Sequence, residues 1–184
     1  MIPKLTFIFL FFFTSMAFSQ VNFGIKAGLN VSNIDYNVSG ASPEGRTGYF
    51  FGTLVDFPLA GDFHLQAEIL YSREGIKDGR VDFLNVPVSL KWYFAEGIHV
   101  NAGPQLGVVI DAEDGTNGLN TAMLAGVFGL GFETSEGFTV DTRYTMGATS
   151  VIDRDIMVDS GRGYNISGIQ GWTRTFQLGI GYKF

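Results

Sequence analysis

Cysteine is absent from the 184 residues of this sequence, and basic residues are scarce. Without thiols the chain can form no disulfide framework, no thiolate metal site and no cysteine nucleophile. The 12 Lys and Arg residues are outnumbered by 18 Asp and Glu, which gives a formal net charge of -6. Because a nucleic-acid-binding surface needs a basic stripe that neutralises phosphates, we expect no nucleic-acid partner.

An apolar run long enough to cross a membrane as a helix is also missing. The run from Leu5 to Phe13 falls well short of the roughly 20 residues that a spanning helix needs, so a membrane anchor is the weaker alternative. Lys4 precedes the run and the small residues of Ala17-Phe18-Ser19 follow it, which is the pattern of a secretory signal. We predict a signal peptide over residues 1–19 and a single mature domain over residues 20–184.

What the sequence has in abundance is glycine and phenylalanine, with 25 and 18 residues, and both favour strands joined by tight turns. Apolar and polar residues alternate over long segments, as strands with two different faces require. From Val21 to Ser32, for example, the odd positions are apolar and the even positions are polar or glycine. The alternation predicts eight strands, at about 21–34, 49–57, 63–72, 81–94, 98–110, 120–132, 138–146 and 175–184. Pro87 cannot donate to a ladder, and we expect a bulge there.

The links between these strands alternate in length. Short links are expected at 58–62, 95–97 and 134–137, and longer ones at 35–45, 74–80, 111–119 and 150–169. Outer-membrane barrels have short periplasmic turns and longer external loops. The pattern predicts an all-β fold, an eight-stranded antiparallel up-and-down transmembrane β-barrel.

Charge placement distinguishes the two faces of the strands. The less apolar face carries matched cations and anions, which are Lys26, Lys91, Arg143, Lys183, Asp56, Glu68, Glu133 and Asp141. A narrow lumen needs such matching, whereas a face in water would carry more charges. We predict a lumen charge network, with glycines such as Gly28 and Gly179 leaving room for long side chains. The alternative is a soluble periplasmic lipocalin-like barrel that encloses an apolar ligand.

Aromatic residues near the strand ends suggest two interfacial girdles. The expected periplasmic girdle contains Phe57, Phe63, Trp92, Phe94, Phe132, Phe138, Tyr182 and Phe184. The expected external girdle contains Tyr49, Tyr71, Phe83, Tyr144 and Trp172.

Several segments resemble a known family. The opening Phe23 to Asn30 is similar to the start of small outer-membrane β-barrel proteins of the Bacteroidetes, including PorT-like proteins. The segments 83–94, 102–107, 143–147 and 179–184 are similar to later strands of that family, so the likeness covers nearly all of the mature chain. The resemblance implies the same fold in the cell outer membrane and, for PorT-like members, a link to secretion. Phe184 resembles the C-terminal aromatic residue that hands such proteins to the barrel-assembly machinery.

Residues with catalytic or metal-binding potential are few. His64 and His99 fall at the periplasmic ends of their strands, away from the external rim where barrel enzymes have their sites, so we interpret both as polar lumen or turn residues. The acidic stretch from Asp111 to Gly115 lacks the spacing of a calcium loop. Isolated Gly-x-Gly fragments without a following helix do not indicate a dinucleotide site. We expect no metal, no cofactor and no enzymatic activity.

About eight strands enclose an interior that side chains just fill. Three function classes remain open for a barrel of this size. The first is a structural or surface-interaction barrel that presents its external loops and is not an open channel. The second is an accessory subunit of a secretion or envelope machine, and the third is an enzyme at the external rim. The longest loop, 150–169, mixes charged and apolar residues and suits contact with an envelope or extracellular protein.

Overall fold

A computed structural model describes residues 21–36, 44–77, 79–113, 115–116, 119–151, 158–159, 165–166 and 171–184. The predicted signal peptide, residues 1–19, lies outside the described residues and stays a prediction. Most of the predicted loop 150–169 lies outside them as well. None of the residues that the structure describes forms a helix with the length and apolar character needed to cross a membrane.

The described chain is all-β. Eight strands close into an antiparallel barrel in the order β1-β10-β7-β6-β5-β4-β3-β2, and β1 pairs with both β2 and β10. A separate short pair, β8 and β9, lies in the segment between β7 and β10. The eight-stranded barrel predicted from the alternation is confirmed. The strands are β1 (Asn22–Tyr36), β2 (Arg46–Pro58), β3 (Phe63–Ile76), β4 (Gly79–Ala95), β5 (Ile98–Ala112), β6 (Ala122–Glu133), β7 (Phe138–Gly147), β8 (Val158–Asp159), β9 (Asn165–Ile166) and β10 (Gly171–Lys183).

The two faces of the wall differ as the charge argument predicted. Large apolar side chains point outward along every strand of the barrel, and Ile180 leaves 65% of its surface exposed. Charged side chains point into the lumen, where Lys26 is only 4% exposed. A soluble barrel would turn its apolar face inward, so the lipocalin-like alternative is wrong.

The links at 59–62, 96–97 and 134–137 lie at one end of the barrel, here called the turn end. At this end, on the outer face, Trp92 contacts both Phe63 and Phe94. Tyr182 likewise contacts both Phe138 and Phe184. At the opposite end, called the loop end, Tyr71 contacts Tyr49 and Phe51, with ring centroids 6.1 and 5.2 Å away. Both aromatic clusters lie where girdles were predicted.

Phe83 is a correction to the predicted girdle at the loop end. Its side chain points into the lumen and is 2% exposed. The register between β4 and β5 shifts between Asp82 and Phe83, because β5 carries one extra residue, Ile110, at this point. That extra residue lies on β5 and does not alter β4, where Phe83 has the parity opposite to the outward Leu84. Strict alternation along β4 therefore predicts the lumen position, and the aromatic side chain near a strand end was the misleading signal.

The predicted bulge at Pro87 is wrong. Pro87 pairs with Gln105 in the same register that pairs Leu90 with Ala102. On the other side, the pairing of β3 with β4 resumes at Leu70 and Asn85 with no shift. The proline therefore interrupts the ladder locally without inserting an extra residue.

The long link expected at 74–80 is also wrong, because β3 continues to Ile76 and β4 begins at Gly79. The hydroxyl of Ser32 on β1 accepts a hydrogen bond from the Gly75 amide at 2.9 Å and donates to its carbonyl at 3.0 Å. Gly75 has a φ of 124°, which favours glycine. These hydrogen bonds hold in the sheet a segment whose composition predicted a loop. They also bring Glu74 into the lumen.

Candidate functional site

The middle of the lumen holds a cluster of four charged side chains, here called the central network. Arg143 donates two hydrogen bonds to Glu68, at 2.9 and 2.6 Å. Lys26 lies 2.6 Å from Asp141 and 3.6 Å from Glu68, and the Arg143 Nε lies 3.9 Å from Asp141. Two cations thus face two carboxylates, and all four side chains are buried.

A second cluster, the turn-end network, lies between the central network and the periplasmic mouth expected from the sequence. Lys183 contacts Glu133 at 2.5 Å and Asp56 at 3.2 Å. Lys91 contacts the same two carboxylates at 3.3 and 3.4 Å. The Tyr93 hydroxyl donates to Glu133 at 2.6 Å and accepts from Lys91 at 2.9 Å. This network again pairs two cations with two carboxylates, so the structure sorts the eight charges singled out from the sequence into two neutral groups.

The two histidines border the turn-end network. His64 is half-buried, and its Nδ1 lies 2.5 Å from the Asp56 carboxylate. His99 is buried, and the Tyr93 ring lies between the two imidazoles, with centroids 4.8 and 5.0 Å away. Both residues therefore lie at the end of the barrel where the sequence placed them. Among the residues that the structure describes, no group of three or more acidic or histidine side chains is arranged to hold a metal ion.

Apolar side chains fill much of the lumen beside the central network, which the sequence did not predict. Phe50, Leu54, Leu70 and Val127 all point inward and are buried. A Cβ placed on Gly28 would come within 2.7 Å of the Phe50 ring, and one on Gly179 within 3.0 Å. The inward glycines therefore leave room for an aromatic ring as well as for lysine chains. Alternation along β2 places Phe50 on the polar face. Its large apolar side chain, however, did not indicate that it would lie in the lumen.

The loop end of the lumen is closed by an apolar cluster, here called the cap. It consists of Ile34, Val81, Phe83, Val109, Ala112, Met123 and Val151, with Ile76 and Leu119 packed against it. These residues come from the ends of five barrel strands, from the link between β5 and β6 and from the link after β7. The sequence assigned each of them to a strand end or a loop. The cap and the two networks thus occupy three levels of the lumen in the described part of the chain.

Charged residues tie together the loop-end tips of β2 to β5, and this set is here called the rim. Three of its five ion pairs connect segments that are far apart in sequence and two join residues of β3 and β4 near their shared turn, with N···O distances of 2.5 to 3.7 Å. Four basic and four acidic residues take part, so the rim is neutral. The pairs are Glu44 with Lys77, Arg46 with Glu113, Arg73 with Asp82, Arg80 with Asp82 and Arg80 with Asp111.

The remaining predicted residues have simple placements. Asp111 and Glu113 of the acidic stretch belong to the rim, and Asp114 lies outside the described residues. The amide of Phe184 donates to the Phe23 carbonyl at 2.9 Å, and its ring is exposed on the outer face. Its role as an assembly signal stays a prediction.

The comparisons with known proteins agree with this geometry. A family model described as the outer membrane protein beta-barrel domain matches residues 14–153. The search of curated proteins finds no relative that matches the sequence.

Solved structures of small outer-membrane barrels are similar along almost their whole length. Ail, the attachment invasion locus protein of Yersinia pestis, is 16% identical, with a TM-score of 0.52, over 89% of this chain and 98% of Ail. Neisserial surface protein A is 10% identical, with a TM-score of 0.57, over 88% of this chain and 97% of that protein. Ail in complex with the heparin analogue sucrose octasulfate is 17% identical, with a TM-score of 0.50, over 89% of this chain and 99% of Ail. At these identities the likeness shows the fold alone.

Proposed function

Because this chain belongs to the family of outer membrane protein beta-barrel domains, we propose that it is a closed barrel whose loop end binds a protein outside the cell. The protein lies in the cell outer membrane, with its apolar outer face in the lipid. The observation that carries the proposal is the closure of the lumen. When no solute passes through the lumen, the loop end is the surface that can contact a partner outside the cell.

Closure rests on three layers of side chains. The turn-end network fills one mouth with two lysines and two carboxylates, and the cap fills the other with apolar residues. The central network lies between them, and its Arg143 is 2% exposed. An ion that crosses the lumen must leave water and separate buried charge pairs in these layers. Separating one such pair costs on the order of 3 to 5 kcal/mol. In planar lipid bilayers the purified protein should give no stable conductance, and discrete channel openings would contradict closure.

The rim favours a protein partner over a polyanion. Its basic residues are matched by acidic ones, and the whole chain carries a formal charge of -6. A sulfated sugar such as the sucrose octasulfate bound to Ail would need an excess of positive charge. A protein surface with mixed charges and apolar contacts fits the neutral rim and the mixed composition of residues 150–169.

The test is a deletion of residues 152–163 from the full chain, followed by crosslinking on intact cells. We expect the variant to fold, as shown by a mobility shift on gels with and without boiling, but to lose the crosslinked partner. Glu136→Lys, in the turn between β6 and β7, is the matched control at the other end and should leave capture unchanged. Equal capture by the deletion variant and the parent protein would refute binding through this loop.

A role as an accessory subunit of a secretion machine, as in PorT-like proteins, is the second candidate. It rests on the resemblance of segments such as 23–30 and 83–94, which form the wall of the barrel. Those segments support the fold more directly than they support secretion. Loss of export in a deletion strain, with restoration by the variant lacking residues 152–163, would favour this candidate over loop binding.

We propose no enzymatic activity. The His64–Asp56 pair is the arrangement closest to a catalytic one, but the described contacts of His64 are with Asp56 and Tyr93 only. No serine or threonine hydroxyl lies within hydrogen-bond distance of His64 among the described residues, so the pair has no nucleophile to activate.

A further inference from the structure

Glu74 is a buried carboxylate that belongs to neither charge network. It points inward from β3 just below the cap, and it is 5% exposed. Its partners are neutral: Ser72 at 2.8 Å and Asn85 at 3.0 Å donate to Oε1, and Thr175 donates to Oε2 at 2.6 Å. The extension of β3 beyond its expected end is what brings this side chain into the lumen.

The other lumen carboxylates all have a cation beside them. Each one, in the central and turn-end networks, lies within 4 Å of a lysine or arginine nitrogen. For Glu74, no basic side chain of the described residues lies within that distance. Burying an ionised carboxylate without a counter-charge is costly, so this site calls for a positive charge or a proton.

The hydrogen bonds around Glu74 fit a carboxylate better than a carboxylic acid. The Ser72 hydroxyl accepts a hydrogen bond from Asn30 at 3.1 Å, which leaves its own hydrogen for Glu74 Oε1. The Asn85 amide nitrogen can only donate, and it also points to Oε1. A proton on Glu74 would have to occupy Oε2 and reverse the bond with Thr175.

A small cavity adjoins the carboxylate. Glu74, Asn85, Gln105, Thr145 and Thr173 contribute polar groups to its lining, and the cap residues Phe83 and Met123 cover it. The Thr145 side chain is 5% exposed, and its hydroxyl has no hydrogen-bond partner among the described residues. The cavity has room for about one water-sized occupant.

We propose that this cavity binds one small monovalent cation, of the size of sodium, potassium or ammonium, through the Glu74 carboxylate and neighbouring neutral oxygens. One carboxylate balances one positive charge. The side-chain oxygens of Asn85, Gln105 and Thr145 supply the hard ligands that such ions take. A bound cation would neutralise the lumen beneath the cap and hold β3, β4 and β7 together at the loop end.

The first test measures the thermal unfolding of the full barrel in detergent, in chlorides of sodium, potassium or choline at equal ionic strength. Choline is too large for the cavity, so we expect a higher Tm in at least one small cation, increasing with its concentration as mass action requires. Glu74→Gln should remove the difference from choline, and Thr145→Val should reduce it. Ser89→Ala is the matched control, since Ser89 is also buried and its hydroxyl has no partner in the described chain, but it does not line this cavity.

A second measurement keeps the proposal testable if Glu74→Gln does not fold. Crystals of the unaltered barrel soaked in a thallium(I) salt should show an anomalous peak in contact with the Glu74 carboxylate. Absence of a peak there, together with equal Tm values in all three salts, would overturn the proposal. Equal cation dependence in the parent protein and Thr145→Val would also overturn it. Neither result bears on binding at the rim, so this inference and the proposed function fail separately.

Discussion

Glu68→Gln is the substitution that most directly tests how the lumen is stabilised. Glu68 accepts two hydrogen bonds from Arg143, at 2.9 and 2.6 Å, and lies 3.6 Å from Lys26. The variant leaves Lys26 and Arg143 with a single carboxylate, Asp141. Breaking a buried pair in this way costs about 3 to 5 kcal/mol, because the remaining charge is left uncompensated.

Asp141 places the expected cost at the lower end of that range. Its carboxylate is 2.6 Å from Lys26 and 3.9 Å from the Nε of Arg143, so it compensates part of the excess positive charge. We therefore expect a loss of about 3 kcal/mol in the free energy of unfolding. With a urea dependence of about 2 kcal/mol per M, the midpoint would fall by about 1.5 M.

The double variant Glu68→Gln/Arg143→Met separates pairing from general disruption. It leaves the neutral pair of Lys26 and Asp141, so it should lose less stability than either single variant, about 1 kcal/mol, since apolar groups often replace a buried ion pair at little cost. Urea unfolding in phospholipid vesicles can be followed by gel mobility without boiling. The fluorescence of Trp92, which faces the lipid, gives a second signal.

An exposed ion pair provides the control. Arg174 lies 2.6 Å from Asp35, but both side chains are largely exposed, so Arg174→Gln should change stability by less than about 1 kcal/mol. If the double variant lost as much as the two single variants together, the charges would not be coupled as the distances indicate. That result would refute the account of the central network.

Two further substitutions test the wall and the packing of the lumen. Leu178→Arg places a charge on the lipid face near the middle of β10 and should cost about 2 to 4 kcal/mol in vesicles, whereas Leu59→Arg, equally exposed but in a turn, should cost about 0 to 1. Equal losses at the two sites, measured by urea unfolding, would contradict the lipid-facing assignment. Gly179→Ala puts a Cβ 3.0 Å from the Phe50 ring and 3.3 Å from Lys26 and should cost about 1 to 3 kcal/mol. Phe50→Leu in the same chain should restore part of that loss in the same assay, and no restoration would show that the ring is not the obstacle.

Much of the barrel could be predicted from the sequence because strands have a strict two-residue period. Alternation at positions such as Ile25, Lys26 and Ala27 separates the two faces before any pairing is known. Matched charges then indicate which face is enclosed. The strand order also follows, because short links join neighbouring antiparallel strands.

Phe83 shows that strict alternation outweighs residue type, and Glu74 shows where predictions from the pattern stop. Phe83 has the parity opposite to the outward Leu84, so alternation alone predicts its lumen position, and its aromatic side chain near the strand end misled the girdle assignment. Glu74 lies in a segment with the composition of a loop, and contacts with Ser32 on β1 keep that segment in the sheet. The lumen position of Glu74 therefore depends on a residue that is distant in the chain.

The sequence by itself determined that the chain forms alternating strands, that the outer face is apolar, and that eight charged residues share the other face. Only the tertiary structure decided which of those charges meet, because the ends of a pair such as Glu68 and Arg143 are 75 residues apart and the register around the closed barrel sets their height. The closed barrel also created the cap and the Glu74 cavity. Both form where the ends of several strands meet, and the pattern of residues along the chain does not show which strand ends will meet.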